Sequence, residues 1–243
     1  TALLIAIVFG RRIIDRLARL QIGEEIRDLG LEGQLAKRGT PTMGGVIILL
    51  AIVVPVLLFA RLDNIYTILL LVATVWCGAI GFLDDYIKVF RHHKEGLKGR
   101  FKVVGQIGLG LIVGTTMWLS SDIVVREEPT SVQSTVEQTT QTSEAMLTSV
   151  EDVKTTKTTI PFFKDNELDY SWFTGGNELL AWLLYVLVAI FVVTAVSNGA
   201  NLTDGIDGLL TGVSIPIVMV LGVLAYLSGH IIYSDYLNIM YIP

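Results

Sequence analysis

Five apolar stretches, each close to the length of a bilayer-crossing helix, leave this chain few folds to choose from. They run approximately Gly45 to Ala60, Ile65 to Leu83, Val103 to Leu119, Leu179 to Val196 and Leu209 to Leu227. A spanning helix needs about 17 to 25 apolar residues, and in lipid its backbone groups must be satisfied within the helix itself. With 52% hydrophobic residues and a mean hydropathy of +0.61 over 243 residues, the chain is too apolar for an ordinary soluble domain. The expected fold is all-α: a polytopic membrane helix bundle forming one integral membrane domain over 1–243. Thr1 to Gly10 is apolar but only half a span, and Ile231 to Pro243 stops before another crossing. Both ends read as cut, the first as the tail of a span rather than a signal peptide. Pro55 and Pro216 fall inside spans and predict kinks or an early helix end.

Charge fixes the expected orientation. The loop over about 10–44 carries Arg11, Arg12, Arg16, Arg19, Arg27, Lys37 and Arg38, and that over 84–102 carries Lys88, Arg91, Lys94, Lys98, Arg100 and Lys102. Basic loops of this density stay in the cytoplasm. The stretch 120–178 has only Arg126, Lys154, Lys157 and Lys164 against many acids, so it is expected outside. Threading the spans in order returns 197–208 to the cytoplasmic side. Within the external insert, Thr130 to Thr159 is rich in Thr, Ser and Gln and too poor in apolar groups to fold alone. A short β-hairpin is compatible with Ile160-Pro161-Phe162-Phe163 and Tyr170-Ser171-Trp172-Phe173, because aromatic residues favour the membrane interface.

The polar groups at the ends of these spans are the candidates for chemistry. Asp84 and Asp85 close the run Gly81-Phe82-Leu83, and Asn198, Asn201, Asp204 and Asp207 follow another. Placing an acid in hydrocarbon costs about 2.5 to 3.5 kcal/mol even on the lenient insertion scale, so such residues are functional candidates by default. Adjacent carboxylates repel, so one takes up a proton or the two share a divalent cation; both outcomes suit phosphoryl chemistry. Magnesium is the expected ion, since it accepts one or two carboxylates plus substrate phosphate oxygens.

Gly39-Thr40-Pro41-Thr42-Met43-Gly44-Gly45 follows Lys37 and Arg38 and opens a span. It reads either as a helix cap or as backbone N–H groups offered to an anion. Asn201-Leu202-Thr203 fits a glycosylation pattern, but the threading places it in the cytoplasm. His92 and His93 have no spaced partners for a zinc site. Lys94, Lys98, Arg100 and Lys102 suit lipid headgroups or phosphate, or simply satisfy the positive-inside rule. Gly105, Gly108, Gly110 and Gly114 stripe one span and predict a close helix neighbour, and Cys77, inside another, reads as a small buried apolar residue.

Three motifs in order, Lys37 to Gly45, Phe82-Leu83-Asp84-Asp85-Tyr86-Ile87-Lys88 and Asn201-Leu202-Thr203-Asp204-Gly205-Ile206-Asp207-Gly208, closely resemble the bacterial phospho-N-acetylmuramoyl-pentapeptide transferases. That family lies within the polyprenyl-phosphate N-acetylhexosamine-1-phosphate transferases. The resemblance extends over essentially the whole chain. It implies the N-terminal part of a ten-helix membrane fold in the bacterial inner membrane, with its active site on the cytoplasmic face. It also implies transfer of phospho-MurNAc-pentapeptide from UDP-MurNAc-pentapeptide to undecaprenyl phosphate, giving lipid I and UMP with Mg2+. Asp84 and Asp85 match the family's aspartate pair, as catalytic groups and metal ligands, with Asp84 preferred for deprotonating or orienting the lipid phosphate. An aspartyl-phosphate route is the competing mechanism. Lys37, Thr42, Asn201, Asp204, Gly205, Ile206 and Asp207 match the nucleotide-sugar pocket, and Lys88 helps hold phosphate.

The family's third aspartate and its histidine-rich loop come later in the chain than Pro243. These 243 residues alone are therefore not expected to catalyse. The partners implied are the two substrates and the lipid bilayer, with a homodimer compatible and no nucleic acid expected. Three alternatives share parts of this pattern: a sibling GlcNAc-1-phosphate transferase, which would share Asp84 and Asp85, a cation or proton transporter, and a catalytically dead scaffold. A transporter would place its acids near the bilayer midplane rather than at one boundary. A catalytically dead scaffold would need the third aspartate to be missing from the whole protein.

Overall fold

The computed structural model describes residues 1–20, 43–91, 96–127, 151–160, 167–203, 208–237, 239 and 241–242. Helices dominate them: α1 (Ala2–Leu20), α2 (Gly45–Phe59), α3 (Ile65–Phe90), α4 (Gly99–Leu119), α5 (Glu178–Thr203), α6 (Leu209–Ser228) and α7 (Ile231–Leu237). Four of these, α3 to α6, are long and apolar enough to cross a membrane. The fifth expected span, α2, is apolar but only 15 residues long. The protein is thus an all-α, multi-pass membrane protein. Pro55 and Pro216 sit within α2 and α6, and both helices continue through them. Cys77 is exposed on α3 rather than buried, as suits a residue on a surface that lipid covers.

The residues group into two compact units, Thr1–Leu109 and Gly110–Pro243, with the division inside α4. In the first, α1 packs on α2 and α2 on α3. Helix α3 starts at Asn64, whose side chain accepts from the backbone N–H groups of Tyr66 (2.8 Å) and Thr67 (3.3 Å) and so satisfies two donors the first turn leaves open. Midway along, the Trp76 indole N–H donates to the Gly105 carbonyl of α4 at 2.8 Å. That bond links α3 to α4 in the half of the pair that leads to Asp84.

In the second unit the small-residue stripe of α4 does what its spacing predicts. A Cβ added at Gly110 would stand 2.6 Å from Ile190 Cα, and one at Gly114 3.1 Å from Val186 Cα. Only glycine permits α4 and α5 to approach this closely. Beyond α4, β1 (Val125–Glu127) pairs antiparallel with β2 (Glu151–Val153), and β3 (Lys157–Thr159) with β4 (Glu167–Asp169). The expected hairpin therefore exists, but its strands lie just outside the aromatic segments, and Tyr170–Thr174 is a 3-10 helix. Strands β2 and β3 also form within the Thr130 to Thr159 stretch expected not to fold alone. They do so by borrowing partners on either side of it. Asp169 caps the 3-10 helix, accepting from Ser171 N at 2.8 Å and from Thr156 Oγ1 at 3.3 Å.

Candidate active site at the end of α3

The apolar pattern puts Asp84 and Asp85 at the start of a loop, but α3 runs on to Phe90 and carries both on its final turns. Two side chains one residue apart on a helix point about 100° apart, and their surroundings differ accordingly. Asp84 is 7% exposed, whereas Asp85 is half-buried. Lys88, one turn on, donates to Asp84 Oδ2 at 2.7 Å. Such an i, i+4 acid–base pair is the spacing a helix brings face to face.

Two further donors come from beyond α3. The chain turns at Gly96, whose φ of +65° lies in the left-handed region open to glycine. The Leu97 N–H that follows then reaches Asp84 Oδ1 at 2.7 Å. A Cβ at Gly96 would collide with Asp84 Oδ1 and stand 2.6 Å from Lys88 Cε. The turn therefore needs a residue with no side chain on two counts. Helix α4 begins three residues later and brings Lys102 Nζ to 3.0 Å from Asp84 Oδ1, with both side chains largely buried. The result is one carboxylate between two ammonium groups, closed over by a backbone N–H. Lys102 is among the basic residues that the sequence offers to phosphate or lipid headgroups, but its pairing with Asp84 is not visible there. Nothing local marks it, because it lies 18 positions from Asp84 and meets it only when α4 folds back.

This arrangement bears on the expected metal. A carboxylate has about four acceptor directions, and Asp84 spends three of them on donors, two of which are cations. With those three donors in place, Asp84 has about one acceptor direction left for a metal ion. Among the described residues, no three His, Cys, Asp or Glu groups gather into a metal cage.

The remaining sequence candidates fall in two places. Asn201 is exposed in the last turn of α5, in the second unit, and Asn198 on the same helix donates from Nδ2 to the Thr194 carbonyl at 2.9 Å. Helix α5 thus extends past the point where its loop was expected to start. Lys37, Thr42, Asp204, Gly205, Ile206 and Asp207 lie outside the described residues, as do His92 and His93. Of the glycine- and threonine-rich segment, Met43 to Gly45 are described. Gly44 occupies the α2 N-cap, as the helix-cap reading of this segment expects, with no side-chain bond. Met43 has a left-handed φ of +66°, a conformation that costs a non-glycine residue about 1 to 3 kcal/mol and clusters at functional sites.

Comparison with known proteins gives the chain a family. Residues 67–242 match the family glycosyl transferase family 4. Residues 37–49, which include Met43 and the α2 start, match phospho-N-acetylmuramoyl-pentapeptide-transferase signature 1. Curated relatives of that name align over the whole chain: one from Flavobacterium psychrophilum at 54% identity, one from Parabacteroides distasonis at 56% and one from Bacteroides fragilis at 50%. The chain spans 59%, 57% and 57% of their respective lengths. A family match over most of the chain, with acids and lysines gathered where a membrane helix ends, has one consequence: the chain belongs to glycosyl transferase family 4 and carries within it the phospho-N-acetylmuramoyl-pentapeptide-transferase signature.

Proposed function

We propose that the full-length protein transfers phospho-MurNAc-pentapeptide from UDP-MurNAc-pentapeptide to undecaprenyl phosphate at the cytoplasmic face of the bacterial inner membrane. The observation that carries this reading is the cluster of Lys88, Asp84 and Lys102 at the end of α3 in a chain bearing the transferase signature. A phosphate oxygen of the lipid attacks the sugar-linked phosphorus, the bond from that phosphorus to the bridging oxygen breaks, and UMP leaves with the bond's electron pair. Charge on the phosphates is the main obstacle, so fixed positive charge is the main remedy.

Asp84 orients Lys88 and Lys102 and holds their ammonium groups ready for phosphate oxygens; this fits its surroundings better than the base or metal-ligand role first expected. Asp85 is the better candidate for contact with the metal or with the acceptor phosphate. Magnesium, when bound, would supply further neutralisation of the diphosphate. On this reading Lys37, Thr42, Asn201, Asp204, Gly205, Ile206 and Asp207 bind the nucleotide sugar, as the resemblance to the transferases implies.

The test is conversion of both substrates to lipid I by the full-length protein in detergent. Turnover should vanish on chelation and return with Mg2+. It should fall by about a hundredfold or more in Asp85→Asn, the scale on which acid–base or electrostatic groups contribute. Unchanged turnover in both Asp84→Asn and Asp85→Asn would remove the assignment.

A further inference from the structure

The 3-10 helix Tyr170–Thr174 lies along the side of α5 rather than above its end. Tyr170, 5% exposed, packs edge-on against Tyr185 with ring centroids 5.8 Å apart. Tyr185 is seven residues into α5, about 10 Å along the axis at 1.5 Å per residue. Every residue of α5 from Leu179 to Leu184 is apolar, so this stretch already belongs to the span. The hairpin is bolted at the same level. Lys154 Nζ donates to the Ser120 carbonyl just past α4 at 2.9 Å and stands 5.6 Å from the Trp182 ring centroid. Trp182 stacks on Trp118 of α4 at 6.4 Å, and Thr158 Oγ1 shares a hydrogen bond with the Tyr170 hydroxyl at 3.2 Å.

This fixed platform turns two adjacent large rings outward. Trp172 is 70% exposed and Phe173 68%. Each presents about 150 to 250 Å² of surface that folding usually hides. Their height beside α5 says what covers them. We infer that Trp172 and Phe173 form a lipid-docking surface, seated at the boundary between headgroups and acyl chains of the leaflet that receives the α4 and α5 ends. Tryptophan prefers that depth, where its ring meets apolar chains and its N–H meets water or headgroups. The hairpin then serves as a float that sets how deep the α4–α5 pair sits. The inference needs only that α4 and α5 cross a bilayer, and stands apart from the transferase reading.

Fluorescence of the full-length protein in phosphatidylcholine–phosphatidylglycerol vesicles tests it. Subtracting the emission of Trp172→Phe isolates Trp172, and Phe173→Trp adds a second reporter with little change of bulk. Both signals should lie at short wavelength, lose most of their intensity to lipids brominated near the headgroup, lose less to lipids brominated near the methyl end, and resist aqueous acrylamide. Quenching by acrylamide without quenching by brominated lipid would place the rings in water and overturn the proposal. Resistance to both quenchers would mean a protein cover, a second copy included, and would overturn it equally.

Discussion

A single carboxylate shows how finely position decides role. Asp84 and Asp85 are chemically identical neighbours, yet only Asp84 lies where Lys88, Lys102 and the Leu97 N–H converge. Removing one partner from such a cluster leaves the others desolvated, so the pair should couple. In a double-mutant cycle on thermal or denaturant stability, Asp84→Asn and Lys102→Met should show a coupling of about 1 to 3 kcal/mol. The same cycle with Lys88→Met should give less, because Lys88 keeps 41% of its side chain in contact with solvent. Equal couplings would contradict the geometry.

Asp169 makes a pH prediction of the same kind. Burial alone would raise its pKa, but the Ser171 N–H and hydroxyl, the Thr156 hydroxyl and the Lys157 charge outweigh burial and hold it below the ordinary carboxylate value. A depressed folded pKa adds stability above the ordinary range, and that stability is lost as pH falls through the depressed value. The hairpin should therefore loosen on acidification in the wild type. Asp169→Asn, which can still cap, should remove this part of the pH dependence, as followed by hydrogen exchange at Ser171.

Among the elements, α4 carries two different jobs on two stretches. Its first turns deliver Lys102 to Asp84 and the Gly105 carbonyl to Trp76; its later turns press Gly110 and Gly114 against α5. The glycines are not interchangeable. Gly110→Ala sets a methyl against the Ile190 backbone, which cannot swing aside, and should cost about 1 to 3 kcal/mol. Gly108→Ala meets only the Trp76 ring at 3.4 Å and should be neutral or gain up to about 1 kcal/mol from helix propensity. Melting temperatures in detergent separate the two, and a tolerated Gly110→Ala would mean that α4 and α5 are not in this contact. The stripe itself was legible as packing, since four glycines near helical spacing in an apolar run have few other uses. Which glycines touch which neighbour was not legible, because a helix shows the same small face wherever its partner lies.

At the scale of the whole molecule, long apolar helices make the bilayer the solvent. The protein should stay with membranes through alkaline and high-salt washing and leave only with detergent; release by carbonate would refute spanning helices. Local patterns determined a good deal without any structure. Apolar run lengths located α3 to α6, though α3 and α5 run on past the expected ends to Phe90 and Thr203 and α4 starts earlier, at Gly99, and the aromatic segments marked the hairpin's neighbourhood. These are properties that a chain carries within a few turns of itself. What only the tertiary structure decided are meetings between distant residues: Lys102 and Leu97 closing on Asp84, and β1 finding β2 across the insert. The physical reason is that hydrophobic length and helical period act over neighbours in sequence, whereas the partner of a buried charge is chosen by how the chain turns. Here that turn rests on a left-handed glycine at position 96, where a side chain would strike the very carboxylate the turn encloses.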